Sequence, residues 1–158
     1  MANITEQQRR LYVFAGTWDG QDHVADLPFS AVRGEVATTS RGKIALDGLF
    51  VICDDEQEQN GQVVFRAHKI YGWDGYKQVY TLHFFDSDGA NPPSRAEGVW
   101  ENERLTLQQQ TPFGLIRYRY IFDGADRYTL QIEASEDAYD WTLFTEGHYQ
   151  RVAAEAIQ

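Results

Sequence analysis

Residues 104–124 read RLTLQQQTPFGLIRYRYIFDG, and their alternation decides the fold. Two β-rich runs, 104–110 and 115–122, place successive side chains on opposite faces. Asp123-Gly124 then supplies residues that tolerate the positive φ of a tight hairpin. Outward from this segment the same device recurs at Asn60-Gly61, Asp74-Gly75 and Asp88-Gly89. Asn102 and Glu136-Asp137 mark further turns, and Pro92-Pro93 marks a longer loop. Between these points strands are predicted over 16–25, 31–46, 49–58, 63–73, 78–85, 95–101, 104–110, 115–122, 128–134 and 140–152.

About ten strands joined mostly by short hairpins predict an all-β, closed, antiparallel up-and-down barrel, because closure removes the exposed edges that promote aggregation. Residues 5–14 are the one predicted helix, capped by Thr5, with Leu11, Phe14 and Ala15 as its apolar patch. A helix this short gains its stability by packing, here against one end of the barrel. The organisation expected is a single domain over 1–158: an N-terminal helical segment (1–15), a barrel (16–152) and a tail (153–158).

The chain has 158 residues, 14% of them aromatic, enough for one well-packed core. With 24 acidic and 14 basic residues its formal charge is −10, a field that repels phosphate backbones and anionic headgroups. The expected partner is therefore a small molecule, not a nucleic acid or a membrane. Cys53 is the only cysteine, so neither an intramolecular disulfide nor a thiolate zinc cluster can form. With no signal-like or membrane-spanning apolar run, the expected location is cytoplasmic.

Trp18, within Gly16-Thr17-Trp18-Asp19-Gly20, is expected to plug one end of the barrel, the glycines letting the strand bend beside it. On the strand 115–122, Arg117 and Arg119 share one face and Tyr118, Tyr120 and Phe122 the other. With the arginines inward, two guanidiniums would need Glu56, Glu146 or an anionic ligand as partners. With the tyrosines inward, the arginines form a solvated outer wall, the commoner state of arginine. His68 shares a face with Arg66, His83 with Thr81 and Phe85, and His148 with Phe144 and Glu146, while His23 lies near a strand end. Glu146 and His148, if inward, make a proton-transfer couple or a ligand anchor. Asp54 and Glu56 share a face with Phe50 and Ile52. No compact metal-ligand spacing, phosphate loop or nucleophile elbow is present, and no metal is expected.

Taken in order, Phe14-Ala15-Gly16-Thr17-Trp18-Asp19-Gly20, Gly72-Trp73-Asp74, Phe85-Asp86-Ser87, the run from Arg117 to Gly124, and Trp141-x-x-Phe144-x-Glu146-Gly147-x-Tyr149 resemble the bacterial family catalogued as domain of unknown function 1579. The resemblance covers nearly the whole chain and implies a calycin-like barrel, related to the lipocalins, with no activity attached. Its functional analogies are the fatty-acid-binding proteins, which hold a carboxylate with internal Arg and Tyr, and the nitrobindins, which bind haem through one His. Neither family's full motif is present.

The function expected from this reading is binding of a small apolar or acidic metabolite inside the barrel, with Glu56, His68, Arg117, Arg119, Glu146 and His148 as the ligand-binding residues. Two rivals are an acid-base enzyme (isomerase, cyclase or hydrolase) using His68 or His148 with a carboxylate, and a haem-binding barrel. The supply of aromatics is also compatible with two barrels pairing as a homodimer.

Overall fold

In the computed structural model, which describes residues 3–28, 30–89, 92 and 94–154, the chain begins with a capping box. The Thr5 hydroxyl accepts from the Gln8 amide while the Gln8 side chain accepts from the Thr5 amide. Helix α1 (Glu6–Arg10) is only five residues long and passes into a 3-10 turn over Leu11–Phe14. The predicted helix 5–14 is thus split. Its second half tightens so that Leu11 and Phe14, 1% and 2% exposed, enter the end of the barrel. Gly42 permits the approach, since a Cβ there would lie 2.1 Å from the Phe14 carbonyl oxygen.

Ten strands follow among the described residues: β1 (Gly16–Val24), β2 (Gly34–Ala45), β3 (Phe50–Gln59), β4 (Gln62–Asp74), β5 (Val79–Asp86), β6 (Ala96–Glu101), β7 (Arg104–Thr111), β8 (Gly114–Phe122), β9 (Arg127–Ser135) and β10 (Thr142–Ala153). Each pairs antiparallel with its chain neighbours, and β1 pairs with β10, so the sheet closes into a barrel. Asn60, Gly61, Gly89, Asn102 and Gly124 take the positive φ expected of their turns. The turn after β4 is built differently. There Gln78 has φ 56°, and the Asp74 side chain accepts from the amides of Tyr76 and Lys77 at 2.9 and 3.1 Å. Pro93 and residues 155–158 of the predicted loop and tail lie outside the described residues.

The ladder between β5 and β6 holds three residue pairs, from Tyr80↔Gly98 to Leu82↔Ala96. The remainder of β5, toward Asp86, has no strand partner on that side among the described residues. The barrel wall is therefore weakest at one place, near the end remote from the helix.

The helix end is packed with rings. Phe14 stacks on Tyr71 at 4.2 Å between ring centres and meets Tyr120, Phe122 and Tyr128 edge-on. Trp18, 1% exposed, lies in the wall beside them against Tyr128. Arg151 of β10 fastens this end. Its guanidinium covers the Trp18 ring at 4.4 Å and donates to the carbonyls of Ala15, Val13 and Ala125 at 2.5, 2.8 and 3.0 Å. It also pairs with Asp126 at 3.0 Å. One side chain thus ties the N-terminal segment, the closing strand and the β8–β9 turn together. Arg151→Ala is expected to lower the unfolding free energy by about 2–4 kcal/mol, since three carbonyls lose a charged donor. Urea denaturation measures this, and a loss below about 0.5 kcal/mol, the level of an ordinary surface substitution, would contradict the role.

Candidate functional site

The direction of every strand follows from β1. With Trp18 inward, Gly20, Asp22 and Val24 are inward too, and Asp19, Gln21 and His23 are exposed. Register carries this parity around the barrel: Ser40 faces Trp18, Asp55 faces Ser40, and Ala67 faces Asp55. On β8 the inward set is Tyr118, Tyr120 and Phe122, paired with Leu107, Leu105 and Tyr128.

Midway along the barrel the Tyr71 and Tyr120 hydroxyls meet at 2.6 Å, a strut from β4 across to β8. On the helix side of this strut the interior is aromatic. On the other side it is polar. Asp55 Oδ2 and Lys69 Nζ form an ion pair at 2.8 Å, with the two side chains 8% and 9% exposed. Lys69 Nζ lies 5.4 Å from the centre of the Phe84 ring, and Phe84 stacks on Tyr118. The Tyr118 hydroxyl donates to Gln109 Oε1 at 3.3 Å. Asp86 ends β5 on the inward side, opposite Ala67.

Asp22, fully buried, is the second charged centre. Its Oδ2 accepts from the Thr38 hydroxyl in a short bond, from the Tyr149 hydroxyl at 2.6 Å and from Gln57 Nε2 at 3.5 Å. Three donors thus converge on one oxygen, and all three are neutral groups. Gly147 makes the room, because a Cβ there would fall 1.8 Å from Asp22 Oδ1. Asp22 Oδ1 and Asp55 Oδ1 are buried acceptors with no hydrogen-bond partner among the described residues.

The electrostatics follow from this packing. Burial opposes the charge on Lys69, but the attraction and hydrogen bond of Asp55, together with Tyr120 and Cys53, hold the ammonium above its ordinary range. Burial, reinforced by Asp55, pushes the Cys53 thiol up. Burial and then the Asp22 charge raise the Tyr149 phenol, and loss of hydration raises the Asp86 carboxyl.

The six ligand-binding residues singled out from the sequence lie on the outer wall. Arg117 and Arg119 both reach Glu133, at 3.1 and 3.3 Å, and Arg117 also stacks on Trp141 at 3.9 Å. Glu56 faces Arg66 at 3.6 Å, and His68 pairs with Asp54 at 2.6 Å. Glu146 accepts from Gln131, and His148 contacts Thr129, each at 3.1 Å. The inward alternative for the arginines is therefore not the one adopted. Tyr118 and Tyr120 bury large rings against leucines, whereas inward guanidiniums would have to be stripped of water, and outside they pair with Glu133 instead. Glu146 and His148 do come together with His23 and Glu35, but in a shallow outer depression of about 350 Å³ walled by Leu143 and Phe144.

All four histidines occupy outward positions: His23 opposite Glu35, His68 opposite Asp54 on one side and Phe85 on the other, His83 opposite Ile70, and His148 opposite Thr129. No imidazole faces the lumen among the described residues, so neither an internal histidine ligand for haem nor an internal His–carboxylate couple is formed. No group of three metal-ligating side chains occurs among them either. The internal residues that the sequence reading passed over are Asp22, Thr38, Asp55, Lys69 and Tyr149. The signal for Asp22 was present, since it stands four residues after Trp18 on the same strand face.

A closed ten-stranded barrel with an N-terminal helical plug and a polar half-lumen is a calycin-like architecture. The chain matches the family described as "Protein of unknown function (DUF1579)" over residues 4–151 and belongs to it. It is similar in fold to the crystal structure of Rv2717c from M. tuberculosis, with a TM-score of 0.68 and 10% identity over 95% of this chain and 99% of that one. It is also similar to the S-type phycobiliprotein lyase CPES from Guillardia theta, with a TM-score of 0.61 and 9% identity over 98% and 94% of the two chains. No curated protein matches the sequence. No helix among the described residues is long and apolar enough to cross a membrane.

Two outcomes are expected of the polar half. Lys69→Met leaves Asp55 buried without its cation and should cost about 3–5 kcal/mol, most of it recovered in the Lys69→Met/Asp55→Leu double variant. A double-mutant cycle in urea checks this, and additive losses would contradict a coupled pair. Cys53, 2% exposed, should resist a thiol reagent in the native protein and react fully in denaturant. Native reactivity near that of free cysteine would contradict the packing.

Proposed function

We propose that the polar half of the lumen binds a small, partly apolar molecule entering from the end remote from α1. The ligand's body would lie along Phe84 and Tyr118, and its polar group would approach the Lys69–Asp55 pair.

The observation that carries this reading is the ion pair itself. A buried ion pair is on average no more stabilising than hydrocarbon of the same volume. Here one stands at mid-barrel, while the other half of the same interior is filled with rings. Both of its side chains face inward and are 8% and 9% exposed. Polar groups converging among aromatic walls are the usual composition of a small-molecule site. The short β5–β6 ladder supports entry at that end, since few backbone hydrogen bonds oppose a local opening there. The same fold carries a phycobiliprotein lyase, which agrees with a barrel that serves a ligand.

Titration with the neutral dye Nile red tests the proposal. Saturable binding at one site per chain, with blue-shifted emission, is expected. Ala67→Trp, which fills the polar half from an inward position, should abolish binding, and Arg119→Ala on the outer wall should leave it unchanged. Amide and methyl NMR shifts of the wild-type protein give an independent reading that does not depend on how well the Trp variant folds. Shifts centred on Phe84, Tyr118 and Ala67 support the site; shifts confined to the outer wall, or no saturable binding, overturn it.

A further inference from the structure

Resting on that reading, we propose that the lumen selects a cationic or hydrogen-bond-donating head group, an organic amine with an apolar body, and discriminates against carboxylates.

The charges that face inward decide the sign. Asp22, Asp55 and Asp86 stand on the inward faces of β1, β3 and β5, and Lys69 is the one cation on the inward faces beyond the Tyr71–Tyr120 strut among the described residues. Lys69 is committed to Asp55 at 2.8 Å. Asp22 takes its hydrogen bonds from the neutral groups of Thr38, Tyr149 and Gln57, and no cation pairs with it among the described residues. The other inward cation, Arg151, lies at the opposite end, spread over the Trp18 ring and committed to three carbonyls and Asp126.

Hydrogen-bond capacity points the same way. Among the described residues the two unpartnered buried side-chain atoms in this half are both acceptors, Asp22 Oδ1 and Asp55 Oδ1, on buried residues. A carboxylate head group would add two more acceptors beside these carboxylates and would compete with Asp55 for the Lys69 ammonium, whereas an ammonium or hydroxyl brings a donor to the unpartnered oxygens. Asp86, closest to the entrance, has its carboxyl raised by loss of hydration, against the backbone amides of Asp88 and Gly89 that lower it, and a cation beside it would offset that rise. The entrance loops repeat the sign. Asp88, Glu136, Asp137 and Asp140 are exposed there, and Arg33 is paired with Asp26 at 2.8 Å. The Phe84 ring already has the Lys69 ammonium 5.4 Å from its centre, so aromatic faces in this half accommodate a cation.

Three head groups on one chain length test the proposal: decylamine, decanol and decanoate, each below its aggregation limit, competing with Nile red at pH 7. The amine should displace the dye at a concentration at least about tenfold below the carboxylate, with the alcohol between them. Asp86→Asn, which keeps an acceptor oxygen for the turn, should shrink that ratio. Glu101→Gln, an outward carboxylate at the helix end, should not. Decanoate competing as well as or better than decylamine would overturn the selectivity while leaving the binding site in place. An amine preference reduced equally by both variants would also overturn it, since it would then reflect only the protein's net charge. Absence of Nile red binding in the first place would instead remove the binding site itself.

Discussion

The pairing of β1 with β10 is the constraint on which the rest of the molecule depends. It converts a ten-strand meander into a tube, and in a tube every second side chain is forced into a common interior. The ladder runs unbroken from Trp18↔Arg151 to Val24↔Thr145. At its helix end it is secured by the guanidinium of Arg151 lying on the Trp18 ring. Because that arginine also binds the carbonyls preceding β1 and those of the β8–β9 turn, closure and plugging are one event.

Once the interior is common, its contents must satisfy one another across it. The Tyr71–Tyr120 hydroxyl contact marks the change of regime. Below it, stacked and edge-on rings remove a large apolar area from water. Above it, Asp55, Lys69 and Asp22 are charges held by a few directed contacts, costly to desolvate and costly to leave unpaired. Natural cores place such groups where a function requires them more often than where stability does. The acceptor surplus in this half, and the outward position of both β8 arginines, turn the expected preference away from an acidic ligand toward a basic one.

Alternation and turn chemistry made the architecture legible. All ten predicted strands occur, most bounds within one or two residues, because Asn-Gly and Asp-Gly signals and period-two runs are local properties. The direction of β8 was not legible, since arginines on one face and tyrosines on the other are both compatible with a barrel wall until the neighbours are known. Leu105 and Leu107 on β7 decide it, and their register against Tyr120 and Tyr118 is a tertiary fact. Asp22 was within reach, given an inward Trp18. The pairing of Asp55 with Lys69 was not, because it depends on the β3–β4 register and on which of three consecutive polar residues, Asp54, Asp55 and Glu56, turns inward. The plug was only half read: Trp18 carries the recognisable sequence context, but Phe14, arriving from the 3-10 turn, occupies the centre of the end.

Native-state hydrogen exchange along the closing ladder addresses the central claim most directly. If the sheet is sealed between β1 and β10, the hydrogen-bonded amides from Gly20 to Val24 and from Thr145 to Tyr149 should exchange as slowly as those of the β3–β4 ladder, through global unfolding. Rapid exchange of either strand, as at the free edge of an open sheet, would contradict the closed interior and every assignment of an inward side chain made from it.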